Sequence, residues 1–105
     1  MTDTALTDLL AERVLEWKAT RDRFIKTNRA WLPKWRFAPL TKLEDAFQLL
    51  DKLNCRYKIE CTSRLAVAVE VYFQGRVGRS SGPQKARAIA FAVARVLELL
   101  PGEKQ

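Results

Sequence analysis

Residues 56–73 read RYKIECTSRLAVAVEVYF, and this stretch decides the fold. Tyr57, Ile59 and Cys61 alternate with Arg56, Lys58 and Glu60. Beyond Ser63 and Arg64, Leu65, Val67, Val69, Val71 and Phe73 alternate with Ala66, Ala68, Glu70 and Tyr72. A period of two puts successive side chains on opposite faces of a strand, so the sequence predicts two antiparallel strands joined by a tight turn at Ser63-Arg64. The second strand has one large, β-branched face and one that begins with two alanines. Small residues there let another element approach closely, so cover is expected on both faces at that end.

The neighbouring segments follow from the same reasoning. Tyr72-Phe73-Gln74-Gly75 is nearly the remnant of a tag-cleavage site, but Val71 and Phe73 keep the phase of the strand, so the stretch is native. Gln74-Gly75 is then a turn into a short third strand, Arg76 to Arg79. Ser81 and Gln84 have the spacing of a capping box, with Gly82 as cap and Pro83 as first helical residue the alternative. Ala86, Ile89, Ala90, Val93, Val96, Leu97 and Leu100 recur at helical spacing, and Pro101-Gly102 ends that helix.

Upstream, Thr41 and Glu44 form a second capping-box pair, opening a helix whose buried face is Leu43, Phe47, Leu50 and Leu53 and whose stop is Asn54. A first helix runs from about Thr4 to about Lys18 on Leu6, Leu10, Val14 and Trp17. Its line of Asp8, Glu12 and Glu16 reads as a solvated face. Between these helices lies TRDRFIKTNRAWLPKWRFAPL, residues 20–40, read as a loop with Pro33 and Pro39 as breakers. The predicted class is α+β: a three-layer α/β/α sandwich with a small three-stranded antiparallel sheet, in the order α-loop-α-β-β-β-α. Its 105 residues make a single domain, 1–105.

Order and local motifs together resemble the phage ABA sandwich domain family. LLAERVLEWK closes the first helix on a tryptophan, WLPKWRFAP supplies an aromatic and proline loop, and LTKLEDAFQLLDKL is the second helix. SSGPQKARAIAFAVARVLEL is an alanine-rich last helix entered through small residues. The likeness runs from about Leu6 to Leu99. It implies helices on both sides of a small antiparallel sheet and a setting in phage or prophage genomes, where many small accessory proteins act against host defences, as anti-CRISPR proteins do. It brings no catalytic residue with it.

Composition narrows the function classes. The chain has no histidine to serve as a base, and its only cysteines are Cys55 and Cys61, six apart, which fits neither a zinc half-site nor a redox motif. Both are read as buried free thiols. No metal site, no cofactor and no enzyme is expected. No apolar run approaches a membrane span, and the acidic start is unlike a secretory leader, so the expected place is the cytoplasm of an infected or lysogenic bacterial host.

The net charge of +7 is unevenly spread. Residues 18–36 hold seven basic residues against Asp22, and residues 56–87 hold seven against Glu60 and Glu70. Basic residues neutralise phosphates and exposed tryptophans stack on bases. The candidate anion or nucleic-acid surface is therefore Arg21, Arg23, Lys26, Arg29, Trp31, Lys34, Trp35 and Arg36, joined by Arg76, Arg79, Lys85 and Arg87 around a helix start that favours anions. A competing reading puts the tryptophans, with Trp17 and Phe37, in a small aromatic core. The expected partner is a nucleic acid or a nucleic-acid-containing host defence complex. The alternatives are a small nucleotide signal sequestered between subunits and an oligomeric protein-interaction module.

Overall fold

The computed structural model describes residues 2–63 and 66–99. The tight turn at Arg64, the start of the second strand at Leu65 and the helix end at 100–102 lie outside them. Three helices, α1 (Asp3–Val14), α2 (Leu43–Leu53) and α3 (Lys85–Val96), alternate with β1 (Lys18–Ala19), β2 (Arg23–Ile25), β3 (Trp31–Pro33), β4 (Arg56–Ser63), β5 (Ala66–Phe73) and β6 (Arg76–Gly82). The class is α+β, with helices and antiparallel sheet stacked in layers. One element is additional: the segment read as a loop contains a second sheet, β1-β2-β3, beside the expected sheet β4-β5-β6. Its strands are too short for a period of two to be read from the sequence.

The two long strands pair antiparallel as expected, with Tyr57 opposite Val71, Ile59 opposite Val69 and Cys61 opposite Val67, and the register shifts between Cys61 and Ser63. Gln74 and Gly75 both take positive φ, 52° and 77°, between the paired residues Phe73 and Arg76. A two-residue turn of that hand matches the twist of the strands it joins. The third strand runs three residues longer than expected. Ser81 lies in it, opposite Ala68, and so does not cap α3; Gln84 occupies the cap position without a side-chain bond, and Gly82 and Pro83 precede the helix.

Val67, Val69 and Val71 are buried against α3. The close approach expected at the alanine face of β5 occurs instead at Gly78 of β6, where the backbone of Ala92 and Val96 lies directly above. The alanine-rich side of α3 makes that proximity sterically possible. From α3, contacts continue to α2, to α1 and on to β1 of the small sheet.

Helix ends depart from expectation in instructive ways. Glu16, at φ 60°, stops α1 four residues before Lys18, and Trp17 turns back so that its N–H bonds to the Ala11 carbonyl. Thr41 donates its hydroxyl to Ala38 rather than capping α2, and the Asp45 carboxylate accepts the Ala38 N–H at 2.9 Å. The buried side of α2 is Ala46, Leu49 and Leu50; Leu43 is 40% exposed, and Phe47 and Leu53 are half-buried. Asn54 ends α2 in the left-handed region, as its identity suggested. Glu98, at φ 58°, lies two residues past the end of α3 at Val96.

Cys55 is half-buried and Cys61 is exposed, which corrects the expectation of two buried thiols. β4 is an edge strand with mostly exposed side chains, so alternation there does not imply cover. Burial raises the Cys55 thiol pKa.

Candidate nucleic-acid interface

The small sheet sorts the aromatic residues by face. Phe24 sits opposite Ala19 and Leu32 in the register, while Ile25 sits opposite Lys18 and Trp31. Phe24 is fully buried and packs edge-on to Phe37, with centroids 5.6 Å apart; Trp17 completes the group at 5.2 Å from Phe37. These three rings form the aromatic core that one reading anticipated. The other two tryptophans do not join it: Trp31 is 57% exposed and Trp35 is 69% exposed.

Trp31 therefore shares its face with Lys18, Arg23 and Ile25. The Arg23 guanidinium lies 4.4 Å from its ring centroid, and the same side chain bonds to Asp22, whose carboxyl pKa is lowered chiefly by that hydrogen bond. Four residues on, in the 3-10 turn Lys34–Arg36, Trp35 lies beneath Arg36 at 5.5 Å. Trp35 also lines a groove of about 380 Å³ with Phe24, Phe37 and Leu40. Arg21, in the β1–β2 turn, and Arg29, at φ 69° in the β2–β3 turn, are exposed and make no ion pair among the described residues. Lys26 rests over Trp17 at 5.4 Å.

Lys34 belongs elsewhere. Its ammonium donates to Asp8 at 2.6 Å and sits 4.7 Å from the Phe24 ring, so it locks α1 to the sheet rather than facing a ligand. Asp8 is accordingly not a solvated acid. Lys18 and Ile25 were not singled out from sequence, although both lie on the Trp31 face; the alternation Arg23-Phe24-Ile25 was the available signal, only three residues long.

The second basic block is dispersed. Arg76 pairs with Glu98. Arg79 pairs at 2.8 Å with Glu70, which also accepts the Tyr72 hydroxyl; those two hydrogen bonds, from Tyr72 first and Arg79 second, lower the Glu70 pKa. Glu70 lies on the face of the large sheet opposite Val69 and Val71. Arg87 grips Asp3 through two bonds, 2.9 and 3.2 Å, and rests 4.8 Å from the Phe91 ring. A groove of about 570 Å³ between the end of β6 and α3 is lined by Ser80, Ser81, Arg87, Phe91 and Arg95. Its arginines already bond to Asp3 and to the Arg79 carbonyl. Lys85 is exposed and without an ion pair among the described residues. Arg76, Arg79 and Arg87 are thus each engaged with a carboxylate, and the Arg87–Asp3 bridge ties α3 to α1.

This arrangement can be set against known proteins. The family model described as the Phage ABA sandwich domain matches residues 8–93. The chain belongs to that family. Among solved structures, a phage protein from Bacillus cereus ATCC 14579, known from a 2.0 Å crystal structure, superimposes with a TM-score of 0.73 at 21% identity, over 93% of this chain and 89% of that one. At that identity the likeness establishes a shared fold. No curated protein matches the sequence. The ABA sandwich description names an architecture and a phage setting, so the chemistry has to be argued from the residues. No helix among the described residues is long and apolar enough to cross a membrane.

Proposed function

We propose that this ABA sandwich protein is a non-enzymatic phage accessory protein that binds nucleic acid, free or within a host defence complex, through the outer face of its small sheet. The observation that carries the reading is Trp31: a tryptophan more than half exposed, with an arginine over its ring and Lys18 on the same face of the sheet, across Ile25. An indole exposed to water for no purpose is unfavourable, and one flanked by cations is suited to stack a base while its neighbours neutralise the adjoining phosphates. Trp35 and Arg36 repeat the pairing one turn on. Such a surface selects unpaired bases, because a stacked duplex presents no free ring face.

Stacking makes a specific prediction. Titration with a single-stranded oligonucleotide is expected to quench tryptophan fluorescence, and Trp31→Ala and Trp35→Ala are each expected to weaken binding by roughly tenfold or more, since a base stacked on an aromatic side chain is worth about 1–3 kcal/mol. Duplex of the same sequence is expected to bind more weakly. Equal affinity of both variants and the wild type for the single strand would remove the stacking role.

A further inference from the structure

β4 and β6 are the two edges of the large sheet, and β4, eight residues long, has no strand beyond it among the described residues. Exposed strand edges template further pairing, and proteins usually protect them with charges. The charges on β4 have a particular order: Arg56, Lys58 and Glu60 on one face, with Tyr57, Ile59 and Cys61 on the helix side.

That order makes the strand complementary to itself. If a second copy pairs antiparallel across a two-fold axis at Ile59, Lys58 of each chain meets Glu60 of the other, Ile59 meets Ile59, and Tyr57 meets Cys61. Moving the axis to residue 58 sets two lysines face to face, and moving it to residue 60 does the same with two glutamates. Like charges directly opposite destabilise a strand pair, whereas opposite charges and apolar pairs stabilise it. The helix side of the edge also has uncovered apolar surface: Tyr57, 44% exposed, packs on Phe47 of α2 at 6.2 Å between ring centroids, and Leu43, one turn before Phe47, is 40% exposed. A two-fold partner brings an equivalent Tyr57, Phe47 and Leu43 to the same side of the joined sheet.

We propose that β4 is the dimer interface of this protein, pairing with β4 of a second copy in the Ile59-centred register to make one continuous six-stranded sheet. The interface uses a different sheet and none of the residues of the Trp31 platform, so each subunit keeps its own platform and a dimer presents two.

The charge order supplies the test. Light scattering of the purified chain is expected to give twice the 12.1 kDa of one copy. Lys58→Glu alone sets glutamates opposite each other, and Glu60→Lys alone sets lysines opposite each other; each is expected to weaken dimerisation by about tenfold or more. Mixed in equal amounts, the two variants are expected to associate as a heterodimer at wild-type affinity, because each supplies the charge the other lacks. Circular dichroism establishes that both are folded, and the positions are exposed. A wild-type chain that stays monomeric in concentrated solution overturns the proposal, as do single variants that dimerise like the wild type or a mixture no tighter than either component.

Discussion

Gly78→Ala is expected to destabilise the protein by about 3 kcal/mol or more, lowering the melting temperature by roughly 12 °C or more. The cause is space and not backbone conformation. A Cβ at position 78 would overlap the Ala92 carbonyl oxygen and come within 2.5 Å of the Val96 nitrogen and 2.9 Å of the Val96 Cβ. Two of those atoms are backbone, held in a buried helix, and cannot move aside by changing a rotamer. α3 would have to lift from β6, opening the layer where Val69, Val71, Ile89 and Val93 are packed without solvent. Thermal unfolding followed by circular dichroism reads the effect. Gly75→Ala makes a useful comparison, because nothing lies within 4 Å of that position and only its positive φ is at stake.

Phe24→Ala is expected to cost about 3–5 kcal/mol, the usual range for removing a buried aromatic side chain. Phe24 is fully buried in the middle strand of the small sheet and touches Trp17, Phe37 and the Lys34 ammonium. Each of these three attaches a different part of the chain: the segment after α1, the approach to α2, and the Asp8 ion pair. A sheet with strands of two and three residues has few hydrogen bonds of its own, so the ring cluster holds it in place. The measurement is again a melting curve, with a second readout in Trp17, whose emission is expected to shift toward that of exposed indole.

The parts of this fold that were legible in sequence are those with long, unmixed patterns. Alternation over residues 56–73 fixed the pairing of β4 and β5, Gln74-Gly75 announced the hairpin turn, and Asn54 marked the end of α2. The small sheet was hidden because its strands of two and three residues span no more than one and a half cycles of a period of two, and because Pro33 and Pro39 suggested a loop. Pro33 is tolerated since it ends the edge strand β3. The two capping boxes misled for a common reason: a serine or threonine three residues before a glutamate or glutamine also fits a turn or a strand when tertiary pairing offers more. Asp45 took the backbone donor at Ala38, and Ser81 was held in register by Ala68.

The candidate site was legible in composition and illegible in arrangement. Seven basic residues among aromatics pointed to residues 18–36 as the candidate segment, but residue order could not separate Trp31 and Trp35 from Trp17. The strand register separates Trp31 by placing it on the face opposite Phe24, and the 3-10 turn leaves Trp35 exposed. Nor could composition show that Lys34, Arg76, Arg79 and Arg87 already hold carboxylates, three of them far along the chain from the arginine or lysine they bind. Arg21, Arg29 and Arg36 have no such partner among the described residues, and Arg23 lies over Trp31 beside its neighbour Asp22.

The claim that the small sheet binds nucleic acid is tested most directly by measuring single-strand affinity as a function of salt for the wild type and for a variant with Arg21, Arg23 and Arg29 all changed to Glu. All three residues are on or beside the Trp31 face and outside the aromatic core, so a folded variant is expected. The wild type is predicted to bind with log affinity falling linearly in log salt concentration, and the variant to lose most of its affinity and about 2 units of that slope, at roughly 0.7 per phosphate contact on a single strand. Binding that is absent, insensitive to salt, or unchanged in the variant would contradict the account.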